Sequence, residues 1–202
     1  QKVREILWVS IALGLIGFVL YRNLSFFIPF FDIDENIALI SDGYLKAMSY
    51  GFIANMVFTC LRCYSEGMGL TLPVFWVAFI GMLLNIPLDI IFVYGYFGIP
   101  PMGGIGCGIA TSINIVIGVI VLVLVILKKK EYTPTKIFSS FSPPNSETTK
   151  EALKLGMPIG FGVFVELSMF SGAALILGSL GSTVISGHTV AINIVSVLFI
   201  LP

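Results

Sequence analysis

The sequence predicts an all-α, polytopic transmembrane helical bundle, and three observations lead to that class. Hydrophobic side chains make up 57% of the 202 residues and charged side chains only 11%, whereas soluble domains carry about 25% charged residues. The mean hydropathy is +1.02. The apolar residues come in stretches of about 20, the length of a membrane-spanning helix, and the period-2 alternation of barrel strands is absent.

Six apolar stretches are the predicted spans. They cover about residues 5–21, 44–63, 72–96, 104–127 and 155–180, and a sixth begins near Thr183. Gln1 is not an initiator residue, and Pro202 directly follows an apolar run. We therefore expect the chain to be the middle part of a longer protein, whose other helices pack against these six.

Basic residues predict the orientation, since Lys and Arg in short loops stay on the cytoplasmic side. With the N-terminal end inside, the outer segments hold only Arg22 and Lys46. The inner segments hold nine basic residues: Lys2, Arg4, Arg62, Lys128, Lys129, Lys130, Lys136, Lys150 and Lys154. We therefore expect a multi-pass protein of the cell (plasma or inner) membrane, with its N-terminal end and the loop of residues 128–154 in the cytoplasm.

That loop is the longest in the chain. Its first part is predicted to be irregular because it holds Pro134, Pro143 and Pro144, and proline disfavours helix. Thr148 and Glu151 have the spacing of a capping box, which predicts a helix that begins there and runs into the fifth span. The loop is either a hinge between two lobes or a solvated connection without a mechanical role.

The sequence also argues against several classes of function. Eleven basic residues balance eleven acidic ones, which argues against a nucleic-acid partner. Cys60 and Cys63 form a CxxC pair without a second pair or a βαβ context, so they indicate neither zinc nor thioredoxin chemistry. Gly104 and Gly108 form a GxxxG motif of close helix packing instead of a nucleotide loop. Motifs of intramembrane enzymes, such as GxGD, GxSx or HExxH, are absent, so we expect no enzyme.

Glu166 lies near the centre of the fifth span, where an ionisable side chain costs about 2.5–3.5 kcal/mol on insertion scales. The nearest basic residue in sequence is Lys154, about 18 Å away along a helix. Such a carboxyl is expected to face a bundle interior or a water-filled cavity. It either binds a cation or proton, or forms a structural hydrogen bond between helices.

Asn85 and Asp89 lie four residues apart, hence on one face of the third span. Pro87 between them cannot donate a helix hydrogen bond and tends to kink the helix. A kinked span with carbonyl, amide and carboxylate oxygens on one side is how transporters build cation sites at membrane depth. The alternative is that Asp89 lies near the outer interface and is simply hydrated.

Other polar residues of the spans are expected to form hydrogen bonds between helices. They are Thr111, Ser112, Asn114 and Asn193. His188 is a single histidine near the start of the sixth span, for which we expect a packing role at the interface over a role in proton transfer.

Three blocks of the sequence resemble the multidrug and toxic compound extrusion family, in its bacterial NorM-like branch. They are LRCYSEGMGLTLPVFWVAFIGMLLNIPLDIIFVYGYFGIPPMGGIGCGIATSI, LGMPIGFGVFVELSMF and GSTVISGHTVAINIVSVLFILP. The resemblance implies a transporter of twelve helices in two lobes, of which this chain covers about the third to the eighth helix. Residues 1–130 would then belong to the N-terminal lobe, residues 131–154 to the cytoplasmic linker, and residues 155–202 to the start of the C-terminal lobe.

The resemblance also implies roles for individual residues. Glu166 matches the membrane acid of the family's seventh helix, a cation-binding position. Asn85 and Asp89 match an ion-binding pair of the fifth helix, and Thr111 is the best match to a threonine of the sixth. Many NorM-like members have Asn where this chain has Asp89, so the coupling ion stays open between Na+ and H+.

These inferences predict a secondary antiporter that exports organic cations and other drugs in exchange for Na+ or H+. We expect no cofactor besides the coupling ion, no structural metal, and a monomer as the full-length protein. One alternative is a flippase of lipid-linked oligosaccharides or lipids from the same superfamily. Its anionic cargo would call for basic residues at membrane depth, whereas Arg and Lys here stay at span ends. A structural membrane scaffold is the other alternative, and it predicts that both acids can be neutralised without effect.

Overall fold

The computed structural model describes residues 2–24, 26, 35–135, 145–178 and 182–199. They form six α-helices and a short 3-10 turn: α1 (Lys2–Asn23), α2 (Glu35–Gly67), α3 (Thr71–Tyr94), α4 (Gly104–Lys128), the turn (Lys130–Thr135), α5 (Ser146–Gly178) and α6 (Ser182–Phe199). No strand occurs among these residues, so the predicted all-α class is confirmed. The chain divides into two compact units, residues 1–149 and 150–202.

Four described helices are long and apolar enough to cross a membrane: α1, α3, α4 and residues Ser146–Ala174 of α5. α2 and α6, which the sequence also predicts as spans, are helical but are not among these four. α2 is the more polar, because its first half holds Asp42 and Lys46. These two side chains form an ion pair along the helix, with 2.8 Å between Lys46 Nζ and Asp42 Oδ2.

Small residues bring the helices of the first unit close together. α2 packs along both α1 and α4, and α3 packs along α4. The Ser112 hydroxyl of α4 donates a hydrogen bond of 2.9 Å to the Ala47 carbonyl of α2, and a methyl group on Gly51 would come within 2.9 Å of Ser112 Cα. Gly108 of α4 likewise leaves little room for a side chain, because it lies close to Tyr44 of α2. The GxxxG motif of α4 is therefore a packing surface, as its spacing predicts.

A tight hairpin joins α3 to α4. Gly95 ends α3 in the left-handed conformation, with φ of 79°, and its N–H donates a hydrogen bond of 3.0 Å to the Ile91 carbonyl. The chain then folds back, and the Met102 N–H donates a hydrogen bond of 3.1 Å to the Phe92 carbonyl. Gly106 approaches so closely that a side chain there would overlap the Phe92 carbonyl. The hairpin therefore fixes which residues of α4 lie opposite the end of α3.

The hydrophobic core of the first unit lies at the opposite end of these helices. It contains Leu61 of α2, Val74 and Val77 of α3, Leu122 and Ile126 of α4, and Tyr132 of the 3-10 turn. The Tyr132 ring packs against Tyr64 of α2, with 5.9 Å between ring centroids. The prediction of an irregular segment around Pro134 is therefore wrong for residues 130–135, because burial of Tyr132 stabilises a turn there. Pro143 and Pro144 lie outside the described residues.

α5 begins earlier than the sequence predicts. The Asn145 side chain, not Thr148, caps the helix, because its Oδ1 accepts a 3.0 Å hydrogen bond from the Glu147 N–H. Asparagine is among the preferred residues at this position. Thr148 lies within the first turn instead, where it is almost fully buried.

The second unit consists of α5 from Lys150 onward and of α6. None of its described side chains is buried. Large apolar side chains such as Met157, Phe161 and Phe164 are more than half exposed. A surface of this kind is typical of a helix that contacts lipid or further helices.

Candidate ion-binding site

Polar side chains meet between α3 and α4 in the first unit. The Cys107 thiol of α4 lies against the Asp89 carboxyl of α3 and the Thr111 hydroxyl, close enough to interact with both. Farther along the same two helices, Gly81 of α3 lies beside the Asn114 amide of α4. Positions 81, 85 and 89 share one face of a helix because they are four residues apart. Asn85 therefore lies between these two contacts, on the face that meets α4.

Three polar atoms of this cluster are buried and have no hydrogen-bond partner. They are Asn85 Nδ2, Asp89 Oδ1 and Asn114 Oδ1. A buried polar atom without a partner costs about 1–3 kcal/mol, and such atoms are rare enough in native proteins to call for an explanation. Three of them along one pair of helices make this cluster a candidate site for a polar or charged ligand.

The structure brings together three of the four residues that the sequence predicts for ion coupling. Asn85 and Asp89 share a face of α3, and Thr111 lies near Asp89 through the intervening thiol of Cys107. The backbone stays helical through Pro87. Ser112 takes no part, because its hydroxyl is turned to α2.

Two members of the cluster were not predicted as site residues. Cys107 has no second cysteine near it in the sequence, so no cysteine motif marks it. For Asn114 the sequence predicts only a hydrogen bond between helices. One sequence signal points to Cys107, since it precedes Thr111 by four residues and so shares its helix face. No comparable signal separates Asn114 from an ordinary packing residue.

Glu166, the fourth predicted residue, lies in the second unit and not in this cluster. Its side chain is exposed on α5. Within the described part of the chain, no hydrogen bond or ion pair of Glu166 is found, which agrees with its distance in sequence from any basic residue. His188 of α6 belongs to the same unit, where it is partly buried and its Nε2 has no hydrogen-bond partner.

The cluster does not have the composition of a transition-metal site. Over the described ranges, no three His, Cys, Asp or Glu side chains come together in a way that could hold a metal ion. The donors of the α3–α4 cluster are one carboxyl, two amides, one hydroxyl and one thiol. Such a set suits a proton or a monovalent cation better than a tightly held metal.

Apolar helices around a carboxyl-bearing polar cluster define the class: a multi-pass helical membrane protein with a candidate ion site between two of its helices. Comparison with known proteins shows a similarity to one family. Residues 1–91 match the sequence model of the MatE family. Over these residues the chain is similar to this family, which is the multidrug and toxic compound extrusion family that its sequence blocks resemble.

Curated relatives cover nearly all of the chain. It is 40% identical over 184 residues to the multidrug resistance protein NorM of Vibrio cholerae, which covers 91% of this chain and 40% of that protein. It is 36% identical over 200 residues to the probable multidrug resistance protein NorM of Acinetobacter baylyi, and this alignment covers 99% of this chain and 44% of that protein. It is 34% identical over 206 residues to the probable multidrug resistance protein NorM of Shewanella oneidensis, and this alignment covers 100% of this chain and 45% of that protein. The chain thus spans less than half the length of these relatives.

Proposed function

We propose that the full-length protein is a secondary antiporter that exports organic cations and other drugs across the cell membrane in exchange for Na+ or H+. The match to the MatE family model and the relatives' names as multidrug resistance proteins support this proposal. The observation that carries it is the group of three buried, unpartnered polar atoms between α3 and α4. The excess of basic residues in alternate loops supports a cytoplasmic N-terminal end and linker.

Asp89 is the centre of the proposed cycle. Its carboxyl takes up a proton or Na+ from outside, and the Asn85 and Thr111 side chains supply further oxygens to a bound cation. Occupation changes the charge and hydrogen bonding between α3 and α4, and so favours one of two conformations. Rocking of one lobe against the other then alternates access, and the exported cation competes for the same charge or for the conformation that it stabilises.

The thiol of Cys107 favours the proton as the ion taken up at Asp89. Na+ is a hard cation that prefers oxygen ligands, whereas a thiol is a soft donor. A thiol beside a carboxyl therefore adds little to sodium binding, but it can exchange hydrogen bonds with either protonation state of the carboxyl. Glu166 is proposed as a second coupling position, in the C-terminal lobe, because it is an acid deep in an apolar helix without a nearby base.

The test is drug efflux from liposomes that hold the purified full-length protein, with sodium and proton gradients imposed separately. The wild type is compared with Asp89→Asn, which keeps the shape of the side chain and removes its charge. Asp42→Asn is the matched control, because Asp42 lies on α2 and forms an ion pair with Lys46. We expect Asp89→Asn to reduce gradient-driven efflux at least tenfold and Asp42→Asn to leave it near the wild-type level.

Two results would contradict the proposal. Efflux by the wild type that responds to neither gradient rules out antiport with these ions. Efflux by Asp89→Asn that equals the wild type under both gradients, with equal amounts of protein in the membrane, removes the α3–α4 cluster from the coupling mechanism.

A further inference from the structure

A groove between α1 and α2 is lined by three sulfur atoms that the proposed transport function does not use. Its volume is about 380 Å³. α2 contributes Met56, Cys60 and Cys63 to its wall, and α1 contributes Ser10 together with apolar side chains. The groove is separate from the α3–α4 cluster, because its lining residues all belong to α1 and α2.

The sulfur atoms lie along a single face of α2. Met56 and Cys60 are four positions apart and Cys60 and Cys63 three positions apart, so their side chains are neighbours on the helix surface. Both cysteines are free thiols. Cys60 is partly buried and its thiol lies close enough to interact with the Ser10 hydroxyl of α1, whereas Cys63 is exposed. A ligand can therefore enter from the Cys63 side and reach Cys60 inside the groove.

Helix geometry favours a bridging atom over a direct disulfide. Side chains at this spacing have their Cβ atoms about 5–6 Å apart, whereas a disulfide needs about 3.5–4.5 Å. An atom placed between the two sulfurs spans the extra distance without distorting the helix. Thiolate and thioether sulfurs select soft, thiophilic ions.

We propose that Cys60 and Cys63 form a two-sulfur site for a thiophilic metal or metalloid ion, such as trivalent arsenic, with the groove between α1 and α2 accommodating its substituents. The Met56 thioether lies one helical turn away on the same wall and adds a third soft donor. The third cysteine of the chain, Cys107, lies on α4 and has no second thiol beside it.

Phenylarsine oxide is a suitable probe because its reaction with a thiol pair is balanced without any oxidant. Two S–H bonds and the bond between arsenic and oxygen are broken, two As–S bonds form, and the two protons leave with the oxygen as water. Arsenic stays trivalent throughout. Arsenic that is bound by two thiols of one protein closes a ring, and this ring resists exchange with a monothiol. Arsenic that is bound by a single thiol does exchange.

The experiment is intact-mass measurement of the purified full-length protein after treatment with phenylarsine oxide and excess monothiol. We expect the wild type to retain one phenylarsenic group, and a small dithiol to remove it. Cys60→Ser and Cys63→Ser should each lose this retention, and Cys107→Ser should keep it. Peptide mapping of the treated wild type should find the arsenic on the α2 peptide that holds both cysteines.

Peptide mapping also tests the site if a cysteine variant fails to fold, because it uses only the wild-type protein. Loss of all arsenic from the wild type in excess monothiol overturns the proposal. Retention by either Cys60→Ser or Cys63→Ser, or arsenic on any other peptide, overturns it as well.

Discussion

The hydroxyl group of Thr148 donates a hydrogen bond to the carboxyl group of Glu5, a residue 143 positions earlier in the chain. Glu5 lies in the first turn of α1 and Thr148 in the first turn of α5. Both are almost completely buried, with 3% and 7% of their surface exposed. A buried carboxyl is costly unless it is hydrogen-bonded, so this contact fixes the beginning of α5 against the first helix.

Replacement of Thr148 by valine tests how much this contact contributes to stability. Valine keeps the shape of threonine but leaves the buried Glu5 carboxyl without this donor. We expect the free energy of unfolding to fall by about 1–3 kcal/mol. Chemical denaturation of the full-length protein in detergent, followed by circular dichroism, measures the change.

Thr149→Val is the matched control, because the same exchange is made one residue later. The Thr149 side chain is partly buried, and its hydroxyl donates a local hydrogen bond of 2.9 Å to the Asn145 carbonyl. We expect a loss of only about 0.5 kcal/mol there. Equal losses for the two variants would mean that the contact between α1 and α5 adds nothing to stability.

The close approach of α4 to α3 at Gly106 predicts a second effect. A methyl group on Gly106 would overlap the Phe92 carbonyl, which is backbone and cannot rotate away. Gly106→Ala therefore pushes the two helices apart next to Cys107, and we expect a loss of about 1–3 kcal/mol together with weaker gradient-driven efflux. The free energy of unfolding in detergent and the liposome assay measure the two effects.

Gly118→Ala is the control on the same helix. A methyl group there would lie 3.6 Å from the nearest atom, a ring carbon of Phe58, which is an ordinary contact. Alanine also favours helix over glycine by about 1 kcal/mol, so we expect unchanged or slightly higher stability. If Gly106→Ala is as stable and as active as Gly118→Ala, the hairpin does not hold the ion site in register.

Local patterns in the sequence predict much of the first unit correctly. The apolar stretches give α1, α3 and α4 within a few residues, because helix length in a membrane is set by bilayer thickness. The four-residue spacing of Asn85 and Asp89 puts them on one face, since that depends only on helical periodicity. The GxxxG motif at Gly104 and Gly108 predicts a close helix contact for the same local reason.

Contacts between helices are not predicted by such local patterns. Cys107 lies opposite Asp89 because the hairpin, with its left-handed Gly95 and the close approach at Gly106, sets the relative register of α3 and α4. The partner of Glu5 could not be predicted either, since Thr148 has the sequence signature of a helix cap. In the structure Asn145 takes that role, which leaves the Thr148 hydroxyl to α1.

Glu166→Gln tests the proposed second coupling position. The substitution keeps hydrogen-bonding capacity and removes the charge from the middle of α5, so we expect at least a tenfold loss of gradient-driven efflux with normal amounts of protein in the membrane. Glu147→Gln is the control, because Glu147 lies exposed in the first turn of the same helix. Unchanged efflux by Glu166→Gln would exclude Glu166 from coupling, and unchanged efflux by Asp89→Asn as well would favour a structural scaffold.

Cys107→Ser tests whether the thiol beside Asp89 influences the choice of coupling ion. Serine puts a hard oxygen donor in place of sulfur, next to the carboxyl and to Thr111, and oxygen is the ligand that Na+ prefers. We therefore expect proton-driven efflux to persist and the response to a sodium gradient to increase severalfold in the liposome assay. Cys107→Ala, which removes the donor altogether, should show no such increase. If both variants respond to the two gradients as the wild type does, the contact between Cys107 and Asp89 has no part in ion selection.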